Sequence, residues 1–155
     1  MSAFNSLNGV PATGNRWLLT DILRNQWKFK GFVVSDWNAV QELKAHGVAE
    51  TDADAALMAF DAGVDMNMTD GLYNRCLEEA VREGKLDMQA IDTSVERILR
   101  AKYALGLFDD PYRFLDFKRE RREIRSEAVT NLARKAAASS MVLLKNDHAT
   151  LPLSK

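Results

Sequence analysis

The 155-residue sequence predicts an α/β protein whose strands run parallel and are covered by helices. Two observations carry this expectation. The apolar runs FVV (32–34) and VDMNM (64–68) are too short for helices, and each follows a glycine, Gly31 or Gly63, that closes a helical stretch. The segments around them show the i, i+4 apolar spacing of helices buried along one stripe. With Met1 to Phe4 as a strand-like start, the order is β-α-β-α-β-α, and such alternation implies parallel strands joined by right-handed crossovers. Three units cannot close a barrel. They fit the last part of a (β/α)8 barrel or half of a doubly wound sheet.

The elements follow in order. Asn8, Gly9, Pro11 and Gly14 form a turn-rich loop. Asn15 is placed to cap a helix bearing Leu18, Leu19, Ile22, Leu23 and Trp27. Phe32 to Val34 reads as a strand covered on both faces. About fifteen residues then follow Asp36 and Trp37, with a short amphipathic piece at Val40 and Leu43; a connection of that length is more often functional than not. Thr51 and Asp54 resemble a capping box opening a helix through Leu57, Met58 and Ala62. Val64 to Met68 is the third strand. Leu72, Cys76, Leu77, Ala80 and Val81 mark a helix closed by Gly84. Asp87 then caps another whose stripe is Ile91, Val95, Ile98 and Leu99. After Gly106 the run LFDDPYRF is a turn-rich exit, a charged helix is expected from about Ile124 to Ala138, and MVLLKN (141–146) reads as a new strand.

Composition narrows the function. The net charge of −1 and the lack of any single-sign block give no surface for nucleic acid. KRERREIR (118–125) mixes both signs and reads as a solvated linker or helix face rather than a site for an acidic partner. No apolar run is long enough to span a bilayer, and MSAFNSLNGVP has neither the basic start nor the apolar stretch of a signal peptide. Cys76, the one cysteine, lies on an apolar stripe and reads as a small hydrophobe.

The chemistry centres on GFVVSDW (31–37), where an apolar strand ends on Asp36 with Trp37 beside it. In parallel α/β folds the reactive face is built at the C-terminal ends of the strands. A carboxylate there serves as a general base, a metal ligand, a covalent nucleophile toward an anomeric carbon, or simply a cap or turn. An adjacent indole suits a sugar, whose C–H face packs on an aromatic plane. Asp65 and Asp70 have no His or Cys at ligand spacing, so neither a metal nor another cofactor is expected. His46 and His148 read as helix-end and turn residues.

The stretch MSAFNSLNGVPATGNRWLLTDILRNQWKFKGFVVSDW resembles the nucleophile region of family 3 glycoside hydrolases of the periplasmic β-glucosidase type. The features that carry the resemblance are Met1, Asn5, Asn8 to Pro11, Leu18, Leu19, Leu23, Arg24, Trp27, Phe29, Gly31 and Val34 to Trp37. AGVDMNM (62–68), ILRAKYALGLFDDPY (98–112) and SSMVLLKNDHATLPL (139–153) resemble the final barrel strand, the barrel exit and the start of a second domain. The resemblance implies the last three βα units of a TIM-type (β/α)8 barrel in residues 1–106, a linker and helix in 107–138, and the first strand of an α/β sandwich domain in 139–155.

It further implies that Asp36 is the nucleophile of a retaining β-glucosidase-like enzyme acting on a β-linked oligosaccharide or glucoside. β-Xylosidase activity, or a non-catalytic sugar-binding remnant, is the alternative. Trp37, Phe4 and Met68 are the substrate-binding candidates. Trp37 is expected on the aglycone side. Phe4 stands where the family often has Tyr, so a hydroxyl is missing there. Met68 lies either against the sugar or in the core. Lys28 and Asn38 replace common glycines, and Asn tolerates the left-handed backbone such a position needs. No acid/base residue has motif support, since Glu42, Glu50 and Glu78 read as exposed charges. The chain is therefore expected to be truncated at both ends and to need the remainder of a parent enzyme. Resembling full-length proteins are often periplasmic or secreted.

Overall fold

A computed structural model describes residues 1–153, in two compact units that divide between Pro111 and Tyr112. In the first unit three extended segments lie side by side. The middle one, residues 33–35, makes a parallel bridge to the third through Val34 and Met66, and its Val34 carbonyl accepts the Ser2 amide at 2.9 Å. The parallel pairing expected from the sequence is present, but as one bridge rather than a full ladder.

Side chains intercept the ladder at both ends. Below the bridge, the Val33 N–H donates to the Asp65 carboxylate at 2.7 Å. Above it, the Met68 N–H donates to the Ser35 hydroxyl at 2.8 Å. A small antiparallel pair, β1 (Ser6–Leu7) and β2 (Val10–Pro11), follows the first segment.

The helix between the first two parallel segments, Trp17–Gln26, is where expected but is wound as a π-helix, and the Trp27 N–H closes it onto the Ile22 carbonyl at 2.9 Å. Asn15 caps its start, accepting the Leu18 N–H at 3.0 Å. Winding with i→i+5 bonds brings residues five apart onto one face, so Leu19 and Arg24 both face Gly63. A Cβ on Gly63 would lie 3.7 Å from the Leu19 Cβ, 3.6 Å from the Arg24 Nε and 3.1 Å from the Thr20 Oγ1. Gly63 also has φ +113 as the C-cap of the next helix, and this left-handed backbone is what favours glycine there.

Four helices cover this frame: α1 (Glu42–Ala45), α2 (Asp52–Ala62), α3 (Leu72–Arg82) and α4 (Met88–Ala104). The amphipathic piece after Trp37 buries Val40 and Leu43 completely. Ala55, Ala56, Ala59 and Ala62 give α2 a flat buried face, joined in the core by Leu19, Val33, Val64, Leu72 and Leu77. Phe60 and Tyr73 cross α2 to α3 edge to face, with centroids 5.6 Å apart. The Tyr73 hydroxyl donates to the Val64 carbonyl at 2.8 Å, and burial pushes its pKa well above the usual phenol value. Cys76 is half-buried, and desolvation raises its thiol pKa, as suits a packing residue.

The capping box forms as expected. Thr51 Oγ1 accepts the Asp54 N–H at 3.1 Å, and Asp54 Oδ2 accepts the Thr51 N–H at 2.9 Å. The Thr51 hydroxyl, and then its amide, hold the Asp54 carboxyl below its ordinary value. A lowered folded pKa means that the stabilisation is present above the unfolded value and lost as pH falls through the folded one. Thr51→Ala is therefore expected to lower stability at neutral pH through loss of the cap and to flatten the acid limb of stability, as urea unfolding at neutral and acidic pH would read.

The second unit departs from expectation. An additional helix, α5 (Phe117–Glu123), forms in the charged run read as a linker or helix face, ahead of α6 (Glu127–Ser140), which is the charged helix expected from about Ile124 to Ala138. They are separated by Arg125 at φ +57 and re-capped by Ser126, which accepts the Val129 N–H at 3.4 Å. Residues 141–146 form no strand. A strand exists only where a neighbour takes its amides and carbonyls, and none does so among the described residues. Leu144 is 92% exposed.

Candidate active site

Asp36 ends the middle parallel segment, on the C-terminal side of the Val34–Met66 bridge. Its side chain is half-buried. Oδ1 accepts the N–H of Trp37 at 2.7 Å, and the other oxygen accepts no hydrogen bond among the described residues. One oxygen is thus oriented by the backbone while the other is left open. The Trp37 indole is 62% exposed, which makes it a surface platform rather than a core residue.

The backbone beneath Asp36 is held from two sides. Ser35, fully buried, donates its hydroxyl to the Asp36 carbonyl at 3.0 Å and receives the Met68 N–H. Ala39 closes a turn onto the same Asp36 carbonyl at 3.2 Å. The loop after Asp36 is then stapled to the loop after Met68. The Asn38 N–H donates to the Met68 carbonyl and to Thr69 Oγ1, each at 3.3 Å. Asp70 receives the Gln41 N–H at 3.2 Å on one oxygen and the Leu72 N–H at 3.0 Å on the other. With both oxygens so engaged, Asp70 is a loop staple.

The four site residues expected from the sequence are only partly brought together. Asp36, Trp37 and Met68 lie in two interlocked loops, and Met68 is half-buried. Phe4 is 39% exposed and lies two residues beyond Ser2, whose amide donates to the Val34 carbonyl and so joins this segment to the middle one. Glu42, Glu50 and Glu78 are exposed as expected, with Glu78 paired to Arg82 at 3.0 Å.

On the other side of the bridge sits a charged cluster that the sequence reading missed. The Asp65 side chain is 2% exposed and accepts from Arg24, from Arg97 at 2.7 Å, from the Ser94 hydroxyl at 3.1 Å and from the Val33 amide. Arg24 also donates to the Gly31 carbonyl at 2.9 Å and the Gly63 carbonyl at 3.2 Å. Burial lowers the Arg24 pKa, and the Asp65 charge opposes that shift. The cluster ties the π-helix, the middle segment and α4 to one carboxylate. An acid inside the apolar run VDMNM signals that a buried partner exists, although its spacing does not say which arginine.

The fold and site together define an α/β protein with an oriented carboxylate where its central parallel segment surfaces. Comparison with known proteins narrows the class. Residues 1–101 match the glycosyl hydrolase family 3 N-terminal domain. The chain is 46% identical to the periplasmic β-glucosidase of Salmonella typhimurium, over all of this chain and 21% of that protein. It is 40% identical to a putative β-xylosidase of Formosa agariphila, over all of this chain and 20% of that one. Among solved structures, the β-glucosidase of Listeria innocua superposes with a TM-score of 0.78 at 42% identity, covering 99% of this chain and 21% of that one. The chain belongs to glycosyl hydrolase family 3. It spans about one fifth of the length of the relatives it matches.

Proposed function

We propose that this chain is the nucleophile-bearing portion of a retaining β-glycosidase of family 3, with Asp36 as the catalytic residue. The observation that carries the reading is the carboxylate itself, at a parallel strand's end with one oxygen tethered to the Trp37 amide and the other open. In the first step the open oxygen attacks the anomeric carbon, and the bond to the leaving-group oxygen breaks as that oxygen takes a proton from an acid. In the second step water cleaves the glycosyl ester, giving its proton to the same group, now a base.

That acid/base must lie about 5–5.5 Å from Asp36. The staple role of Asp70 and the exposure of Glu42, Glu50 and Glu78 leave it to be supplied from outside these residues. Residues 1–106 are read as the last βα units of a (β/α)8 barrel, 107–138 as linker and helix, and 139–155 as the start of a second α/β domain. Trp37, Phe4 and Met68 are the sugar-contacting candidates.

The substrate is read as a β-glucoside. The Listeria innocua β-glucosidase has been solved with glucose, and a mutant of it with laminaribiose. The identity to a putative β-xylosidase keeps β-xylosides as the second reading. The similarity to a periplasmic β-glucosidase supports reading the activity as periplasmic or secreted.

The test is a graft in which residues 1–155 replace the matching fifth of the Salmonella enzyme. The graft is expected to hydrolyse an aryl β-glucoside faster than the β-xyloside. The 155-residue chain alone is expected to be inactive, because general acid catalysis is typically worth ~10²–10⁴-fold. Turnover by the isolated chain, abolished by Asp36→Asn, would contradict the dependence on an outside acid.

A further inference from the structure

We infer that Asn38 and Thr69 form a clasp that positions the Asp36–Trp37 loop, an inference that rests on Asp36 being the nucleophile. Both residues have left-handed backbones, with φ +55 at Asn38 and φ +69 at Thr69. For a β-branched residue such as threonine that conformation is a genuine outlier, and strain of this kind persists only where the surroundings over-determine it. Here the surroundings are each other. The Asn38 N–H donates to Thr69 Oγ1 at 3.3 Å, and the Thr69 hydroxyl lies 2.7 Å from Asn38 Oδ1 and 2.8 Å from the Met68 carbonyl.

Glycine would give position 38 the same backbone at lower cost. What asparagine adds is the carboxamide oxygen, and that oxygen faces the Thr69 hydroxyl. The clasp sits two residues beyond Asp36 and one beyond Trp37. It joins the loop that orients the carboxylate to the loop that follows the neighbouring strand, above the Ser35 bridge that joins the two segments. Its hydrogen bonds are solvent-exposed, so they add little to global stability. Their effect falls on the placement of the nucleophile and of the Trp37 ring beside it. Asn38 and Thr69 are positioning residues in this account, since neither reacts with the substrate.

Misplacement of a reacting group by about 1 Å costs on the order of 10²-fold, and loss of one clasp bond is expected to displace the loop by less. In the graft, Asn38→Gly and Thr69→Ala should each lower kcat for an aryl β-glucoside by about tenfold, with melting temperature little changed. Asn38→Gly is the milder change, because glycine accepts the left-handed backbone. Thr69→Ser, which keeps the hydroxyl, should restore most of kcat. The double variant Asn38→Gly/Thr69→Ala should be no worse than Thr69→Ala alone, because removing the Thr69 hydroxyl already breaks both its contact with the Asn38 carboxamide and the bond from the Asn38 N–H.

Wild-type kcat in both single variants, losses that multiply in the double, or a Thr69→Ser variant as slow as Thr69→Ala would overturn the clasp. The Asp36→Asn graft separates the two claims. If it is inactive while the clasp variants are normal, only the clasp fails; if it is as active as the unsubstituted graft, the nucleophile reading fails.

Discussion

Asp36→Asn in the graft is expected to lower kcat by a factor on the order of 10⁴ or more, the scale on which loss of a covalent nucleophile acts. The amide is isosteric, so the Trp37 N–H can still be accepted on Oδ1, as it is by the native carboxylate. What disappears is the charge of the open oxygen. Because the fold around residue 36 is held by the Ser35 hydroxyl and the Ala39 turn rather than by the carboxylate, the melting temperature should hardly move. Truncation to Asp36→Ala sharpens the test. It opens a space from which azide can attack the anomeric carbon on the same face, displacing the leaving group and yielding a glycosyl azide of inverted configuration. Rescue by azide with that stereochemistry places the missing group on the nucleophile's side of the sugar; a variant that loses activity and is not rescued points to a structural role.

The largest expected effect on stability comes from Asp65. Asp65→Ala removes the one carboxylate that faces both Arg24 and Arg97. The Arg24 side chain is only 10% exposed, so its guanidinium would remain in a desolvated site without a counter-charge. Breaking a buried pair from one side typically costs about 3–5 kcal/mol, a large share of the roughly 5–15 kcal/mol that holds a domain folded. The change would also leave the Val33 amide without the carboxylate it donates to, whereas the Ser94 hydroxyl keeps the Asp65 backbone carbonyl at 3.1 Å. Arg97→Ala should cost less, because Arg97 is 30% exposed and water can replace part of its contact. Denaturant unfolding of the graft would rank the two variants. Equal costs, or an Asp65→Ala protein as stable as the parent, would mean that the cluster does not tie α4 and the π-helix to the middle segment.

Much of this molecule is legible in local chemistry. The Thr51–Asp54 box, the Asp87 cap and the glycine at 63 are decided by neighbours within a few residues, and each forms where the sequence places it. Asp36 is legible because an apolar run that ends on an acid fixes where that acid surfaces. Features decided at long range are not legible. Nothing local says that Asp65 will collect Arg24 from forty-one positions upstream and Arg97 from thirty-two downstream. Nor does 3.6-residue periodicity distinguish an α-helix from the π-winding of Trp17–Gln26, since both bury Leu19 and its neighbours. Asn38 reads from sequence as a residue tolerant of left-handed backbone, but its partner Thr69 lies thirty-one residues on. The strand expected at 141–146 fails for a related reason. Its composition is strand-like, whereas a strand is a property of two segments, and no second one meets it among the described residues.

The central claim is that Asp36 forms a covalent bond to the sugar. A 2-deoxy-2-fluoro β-glucoside with a good leaving group slows the second step of a retaining mechanism more than the first, so the glycosyl ester accumulates. Incubated with the graft, digested and read by mass spectrometry, the peptide containing Gly31 to Trp37 is expected to gain the mass of one fluoroglucosyl residue, with fragmentation placing it on Asp36. An adduct on any other carboxylate, or an active graft in which the sugar binds and turns over with no adduct at all, would contradict the account.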